Sequence, residues 1–215
     1  MIRILPTEKN TVFFHLAYDE ACMKAVKEER VAPTMRLYTY SEPATTIGYF
    51  QRYADEIKEN THTVARRIAG GGCWKHQKEI MYSIIAPESY FSQDIQKSYG
   101  QIIKPLMQAL RKLGKETHYT PLDKLRLASK ICAEHAQTRK DGILLQQGRI
   151  LLADDAQENT DAYCGVGSYE QVHDAIREEY KKAFRAEEGT MSSEEREHAQ
   201  ELVEKYASEE WNTFK

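Results

Sequence analysis

The chain predicts an α+β domain, β-rich in its middle and helical at its end, on three observations. Short runs of β-branched and aromatic residues recur between positions 35 and 152, each ended by a turn signal. Longer stretches at 13–29 and 98–113 space their apolar residues as helices do. From Tyr169 onward the sequence is charged and carries helix-capping chemistry.

Each element has its own warrant. Residues 2–5 alternate as a short strand. Residues 13–29 place Phe14, Leu16, Ala17, Ala21 and Val26 on one helical face. Residues 35–40 alternate again, and 45–50 read as a second strand across the Ser41-Glu42-Pro43 turn. Residues 63–68 lead into three glycines, and 80–86 form a strand ended by Pro87. The helix over 98–113 stops at Gly114. Residues 130–139 and 143–152 form a hairpin around Lys140-Asp141-Gly142, because Asp-Gly suits the positive φ of tight hairpin turns. Two charged helices follow, over 169–186 and 192–206, the second opening on the capping box Ser192-Ser193-Glu194-Glu195. Most of their charge reads as solvated surface. The expected organisation is one domain over 1–168 and a helical extension over 169–215.

At 215 residues the chain suits one main domain, and a net charge of -3 gives no electrostatic footprint for nucleic acid. No apolar run approaches the roughly 20 residues of a membrane-spanning helix. The first residues lack the apolar region of a signal peptide. Cys22, Cys73, Cys132 and Cys164 show no Cys-x-x-Cys pair and no zinc spacing. The expectation is a cytoplasmic protein with reduced thiols and no metal ligands.

The densest chemistry lies in Arg66-Arg67-Ile68-Ala69-Gly70-Gly71-Gly72-Cys73-Trp74-Lys75-His76. Three successive glycines disfavour any regular element and leave the main chain open to a ligand. Arg66, Arg67 and Lys75 bracket that bare backbone with charge suited to a phosphate or carboxylate; a flexible turn is the plain alternative. Lys130 lies in the apolar-flanked stretch Leu127-Ala128-Ser129-Lys130-Ile131-Cys132, where it faces water or meets an anion. Asp123 reads equally as a magnesium or nucleotide ligand or as a loop cap.

Taken in order, these stretches resemble the lipoate-protein ligase A family, which includes related octanoyltransferases. The likeness rests on Phe14 to Ala21, on Pro43 with Gly48-Tyr49-Phe50-Gln51, and on Arg66 to His76. It continues through Asp123 with Lys130-Ile131 seven residues later, and through Ala136-Gln137-Thr138-Arg139 with the hairpin after it. Here one extra residue separates Lys130-Ile131 from Ala136-Gln137, and a glycine usual in that gap is missing. Leu122 stands where the family has asparagine, and Gln147-Gly148 where it has His-Gly.

The resemblance implies a mixed β-sheet flanked by helices, of the biotin/lipoyl ligase type related to class II aminoacyl-tRNA synthetase catalytic domains. It implies ATP-dependent activation of lipoic acid to lipoyl-AMP, with Mg2+, and transfer to a lysine of an apo lipoyl domain. The acceptor is an E2 subunit of a 2-oxoacid dehydrogenase or the glycine-cleavage H protein. By the same likeness Lys130 contacts the acyl carbonyl and phosphate. Arg67, Gly70, Gly71, Gly72 and His76 line the pocket, Asp123 serves the nucleotide, and Gln137 supports from the hairpin. The accessory domain of full-length ligases is not evident and is expected from a separate polypeptide, or is unnecessary, as in transferases. The alternatives are an ATP-independent octanoyl or lipoyl transferase acting through a cysteine thioester, and a non-catalytic lipoyl-binding relative. For the thioester, Cys73 and Cys132 are the thiols near the motifs, and each is expected to be buried and inert. His135 is read as structural.

Overall fold

In a computed structural model, residues 1–58, 63–152 and 162–215 are described. In chain order the elements are β1 (Arg3–Ile4), β2 (Glu8–Asn10), α1 (Val12–Lys27), β3 (Thr34–Tyr40), β4 (Ala44–Ile47), α2 (Tyr53–Glu56), β5 (Thr63–Arg66), β6 (Trp74–His76) and β7 (Glu79–Pro87). They continue with α3 (Ile95–Lys112), β8 (Thr117–Thr120), β9 (Lys124–Leu127), β10 (Lys130–Lys140), β11 (Ile143–Leu151), α4 (Tyr169–Phe184), β12 (Glu187–Glu188), α5 (Ser193–Ala207) and α6 (Glu209–Thr213). A 3-10 turn, Glu88–Tyr90, follows β7.

Eight strands run in the order β12-β1-β3-β7-β11-β10-β9-β8, and β2 adds to β3. The sheet is mixed: β1 pairs in parallel with β3 and β12, whereas β3, β7, β11, β10, β9 and β8 pair antiparallel. A second sheet, β5-β4-β6, lies on one side. The expected α+β fold with a mixed sheet flanked by helices is what forms.

Strand alternation divides the residues between two faces. One face meets α1, where Asp19 accepts from Arg36, Ser83 and Gln147. The small sheet packs on this face through Ala44, Ala65, Ala69 and Trp74, against Tyr38, Met81 and Ala136. The other face meets α3 and α4: Tyr82, Ile84, Ala133 and Ile150 share a core with Ile102, Leu106, Val172 and Tyr180.

The hairpin forms as its turn chemistry demands, with Asp141 at φ 55° and Gly142 at φ 79°. The capping box is complete: Glu195 N–H donates to Ser192 Oγ at 3.1 Å and Ser192 N–H to Glu195 Oε2 at 2.9 Å. The strand expected over 45–50 stops at Ile47. A Cβ on Gly48 would sit 2.1 Å from the Gly71 carbonyl oxygen, so the chain turns there against the glycine loop. The helix expected from 98 starts at Ile95, because the Asp94 side chain caps it by accepting from Lys97 N–H at 2.9 Å. Residues 169–215 share the two cores rather than trailing from them: α4 packs under the sheet, and α5 lies along α1.

Candidate functional site

The glycine loop is assembled as the sequence suggested, but its arginines are spent on main chain. Arg67 donates to the carbonyl oxygens of Gly70 at 2.9 Å and Gly72 at 2.6 Å, and to Thr46 O and Oγ1 at 3.0 and 2.5 Å. Its guanidinium lies 3.9 Å above the buried Trp74 ring, and burial lowers its pKa to about 10. Arg66 donates to the carbonyls of Gly48, Tyr49, Gln51 and Asn212. These cations therefore hold the loop shape rather than waiting for a phosphate. Gly71, at φ 81°, is exposed and packs on Ala136, where an added Cβ would fall 3.1 Å from the Ala136 methyl.

A bonded chain continues from the loop through predicted and unpredicted residues. Thr46 Oγ1 meets His76 Nε2 at 2.6 Å, and His76 Nδ1 meets the Glu79 carboxylate. Burial depresses the His76 pKa, and Glu79 opposes it. Arg149 lies 3.6 Å from Glu79, donates to Glu134 at 2.6 and 2.9 Å, and donates to Lys75 O at 2.7 Å. Its guanidinium is 5.6 Å from the Tyr163 ring.

Lys130 and the loop's contact lie at different points of β10. Gly71 touches Ala136, six residues along β10, which is on the order of 20 Å of extended chain. The extra residue noted in the sequence appears as a register shift between Ile131 and Ala133. A one-residue slip reverses which face a side chain takes. Lys130 pairs with Leu127, which packs on the α3/α4 core, away from the loop.

Asp123 lies at the opposite end of the β9–β10 hairpin, where its carbonyl accepts from His135 N–H at 2.8 Å. Gln137 alternates with Ala136 and so faces α3, bonded to Ser98 at 3.2 Å and Gln146 at 3.0 Å. Arg67, Gly70, Gly71, Gly72 and His76 therefore come together; Asp123 and Gln137 lie along the same stretch of β10, at His135 and beside Ala136, and both act with Arg67 on the Tyr99 hydroxyl, while Lys130 stands at the far end of that strand.

The start of β10, where Lys130 stands, is paired with the segment that carries Cys164, a thiol the sequence reading passed over. Ile131 N–H donates to Ala162 O at 2.8 Å, and Cys164 N–H donates to Ile131 O at 2.9 Å, tying residues 162–164 to the start of β10. Burial raises the half-buried Cys164 thiol above its ordinary value, against a smaller downward pull from the Lys130 ammonium and then Lys115. Cys132 is fully buried, donates to Leu125 O at 3.4 Å and is pushed up to about 12. Burial also raises Cys73. The available signal was Gly165 and Gly167 after Cys164, a loop composition before a helix; its pairing partner lies 32 residues earlier and has no local signature.

Comparison with known proteins agrees with this architecture. The sequence pattern of the lipoyl protein ligase A/B catalytic domain matches residues 11–193. Octanoyltransferase LipM of Kyrpidia tusciae is 32% identical in an alignment covering 98% of this chain and 97% of the relative. That of Staphylococcus aureus is 28% identical, covering 93% of each. The fold is that of a bipartite lipoate protein ligase from Thermoplasma acidophilum, solved in a study of that ligase and its E2 lipoyl domain, with a TM-score of 0.84. The identity is 23%, covering 98% of this chain and 95% of that one. The chain belongs to the lipoyl protein ligase A/B catalytic-domain family, whose chemistry is lipoyl and octanoyl transfer.

Proposed function

We propose that the protein is an acyltransferase that moves an octanoyl or lipoyl group onto a lipoyl domain through a thioester on Cys164, without ATP. The observation that carries this reading is the backbone pairing that brings half-buried Cys164 to the start of β10, where the Lys130 ammonium favours the nucleophilic thiolate against the burial that disfavours it. The similarity to octanoyltransferases supports it.

The Cys164 thiolate attacks the carbonyl of an acyl thioester carried by the donor. The tetrahedral intermediate collapses, the C–S bond to the donor breaks, the donor leaves as a thiolate that takes a proton from water, and the acyl group stays on Cys164. The acceptor lysine amine of an apo lipoyl domain, from an E2 subunit or an H protein, then attacks the thioester. Its excess proton is lost as Cys164 returns to thiolate. Lys130 stabilises that thiolate at both ends of the cycle. The chain through His76, Glu79, Arg149 and Glu134 fixes the glycine loop against the strand pair that holds Cys164, with Tyr163 resting by Arg149.

An ATP-dependent ligase needs Lys130, Asp123 and the glycine loop around one adenylate. Against that route, Arg66 and Arg67 are bonded to main-chain carbonyls, and the similar curated proteins are octanoyltransferases. The thioester route needs no nucleotide, so no step passes through ATP or Mg2+.

The test is intact-mass measurement of an apo lipoyl domain incubated with an octanoyl thioester donor, with and without MgATP. Transfer is expected in both tubes, with an acyl adduct on Cys164 when the acceptor is omitted and no transfer by Cys164→Ser. Transfer that requires ATP, with Cys164→Ser unimpaired, would restore the ligase reading.

A further inference from the structure

Cys132 and Cys164 are not independent thiols. The two hydrogen bonds around Ile131 define a parallel pairing of Ile131 with Tyr163. The next residue on each strand is a cysteine. Backbones paired in this way run about 4.8 Å apart, and the Cys164 N–H bond to Ile131 O holds Cys164 next to the peptide that leads into Cys132. That spacing falls inside the roughly 4.4–6.8 Å Cα separation that a disulfide spans. Both side chains pack on the same apolar cluster under α3 and α4, and negative charge on Cys164 contributes to holding the Cys132 proton.

The two differ in access and charge. Cys164 is half-buried, and the Lys130 ammonium pulls its pKa down against burial; Cys132 is sealed from solvent. An accessible thiolate-forming cysteine next to a protected second thiol is the arrangement in which a peroxide-oxidised sulfur is captured as a disulfide.

We propose that Cys132 and Cys164 form a reversible disulfide when the protein meets a hydroperoxide, and that this bond switches acyl transfer off. The switching half rests on Cys164 being the acyl carrier. The Cys164 thiolate attacks one peroxide oxygen and the O–O bond breaks; Cys164 becomes a sulfenic acid, and the released hydroxide or alkoxide takes a proton from water. The Cys132 sulfur then attacks the sulfenic sulfur. The S–S bond forms, the S–O bond breaks, and the oxygen leaves as water with the Cys132 proton. Two thiols are oxidised for one peroxide reduced, and a dithiol reverses the step by exchange.

The experiment treats the full chain with hydrogen peroxide, blocks free thiols and maps tryptic peptides without reduction. Cleavage after Lys130, Arg139, Arg149 and Arg177 puts the two cysteines on separate peptides, 131–139 and 150–177. The expected result is a linked 131–139/150–177 species lighter by two hydrogens, with transfer lost and regained after dithiothreitol. Cys132→Ala is expected to transfer normally before peroxide and to lose transfer irreversibly after it, as Cys164 passes to sulfinic acid. Absence of the linked peptide, with Cys164 sulfinic or joined to Cys73, would overturn the proposal. If the link forms but Cys164→Ser still transfers octanoate, the acyl-carrier reading fails and the switch fails with it, while the disulfide stands.

Discussion

At the scale of single residues, the outcome for Lys130 turns on one inserted position. The spacing from Asp123 to Lys130 was legible, and so was the surplus residue after Ile131. What that surplus does to side-chain direction depends on where the strand absorbs it, and a bulge has no signature in one sequence. The direction of Gln137 was hidden for a related reason, since adjacent strand residues serve opposite faces and its bonds go to Ser98 and Gln146. Cys164 was missed because its partner strand is remote. The Lys130–Cys164 pairing makes a signed prediction. An ammonium lowers the pKa of a nearby thiol, so Lys130→Met raises the Cys164 pKa. The rate of Cys164 alkylation by iodoacetamide, followed against pH, is expected to rise at higher pH in the variant than in the parent. An unchanged profile would remove Lys130 from the mechanism.

Among the elements, legibility followed length and local chemistry. The helix α3, the β10–β11 hairpin and the cap of α5 were all readable, because periodicity, Asp-Gly and the capping box act over a few neighbouring residues. Strands β2, β6, β8 and β9 escaped, since three or four residues carry no period to detect. Their place is set by partners elsewhere in the chain. The α5 cap also holds a tertiary contact: Glu195, nearly fully buried, bonds Arg3 as well as Ser192. Ser192→Ala is expected to cost about 1 kcal/mol, typical of a lost N-cap oxygen, read from urea unfolding. Glu195→Ala is expected to cost more, because it leaves Arg3 without its buried carboxylate. Equal costs would place the value of this helix start in the cap alone.

For the molecule as a whole, the interior is charged with neutral histidines. Burial holds His135 down to about 3, His15 well below its ordinary value and His76 also below it. His135 accepts from or donates to Tyr82 OH at 2.9 Å and is confined by Gly148, where a Cβ would lie 2.6 Å from its Nδ1. With folded pKa values below the unfolded value of about 6.5, the unfolded chain binds protons that the fold refuses. Stability is therefore full above that value and falls as pH drops from about 6.5 toward about 3. Thermal unfolding across this range is expected to show a falling Tm, with a shallower fall in His135→Gln. A flat Tm would mean that these imidazoles protonate in place.

The edge-inward position of β1 has a temporal consequence. It lies between β3 and β12, and α1 is covered by α5, so the first 27 residues are completed by the last 30 or so. During synthesis the amino-terminal helix leaves the ribosome long before its cover exists, and an apolar face that includes Leu16, Met23 and Val26 waits in the open. The face of α1 thus stays uncovered in the nascent chain until the residues of α5 have been made.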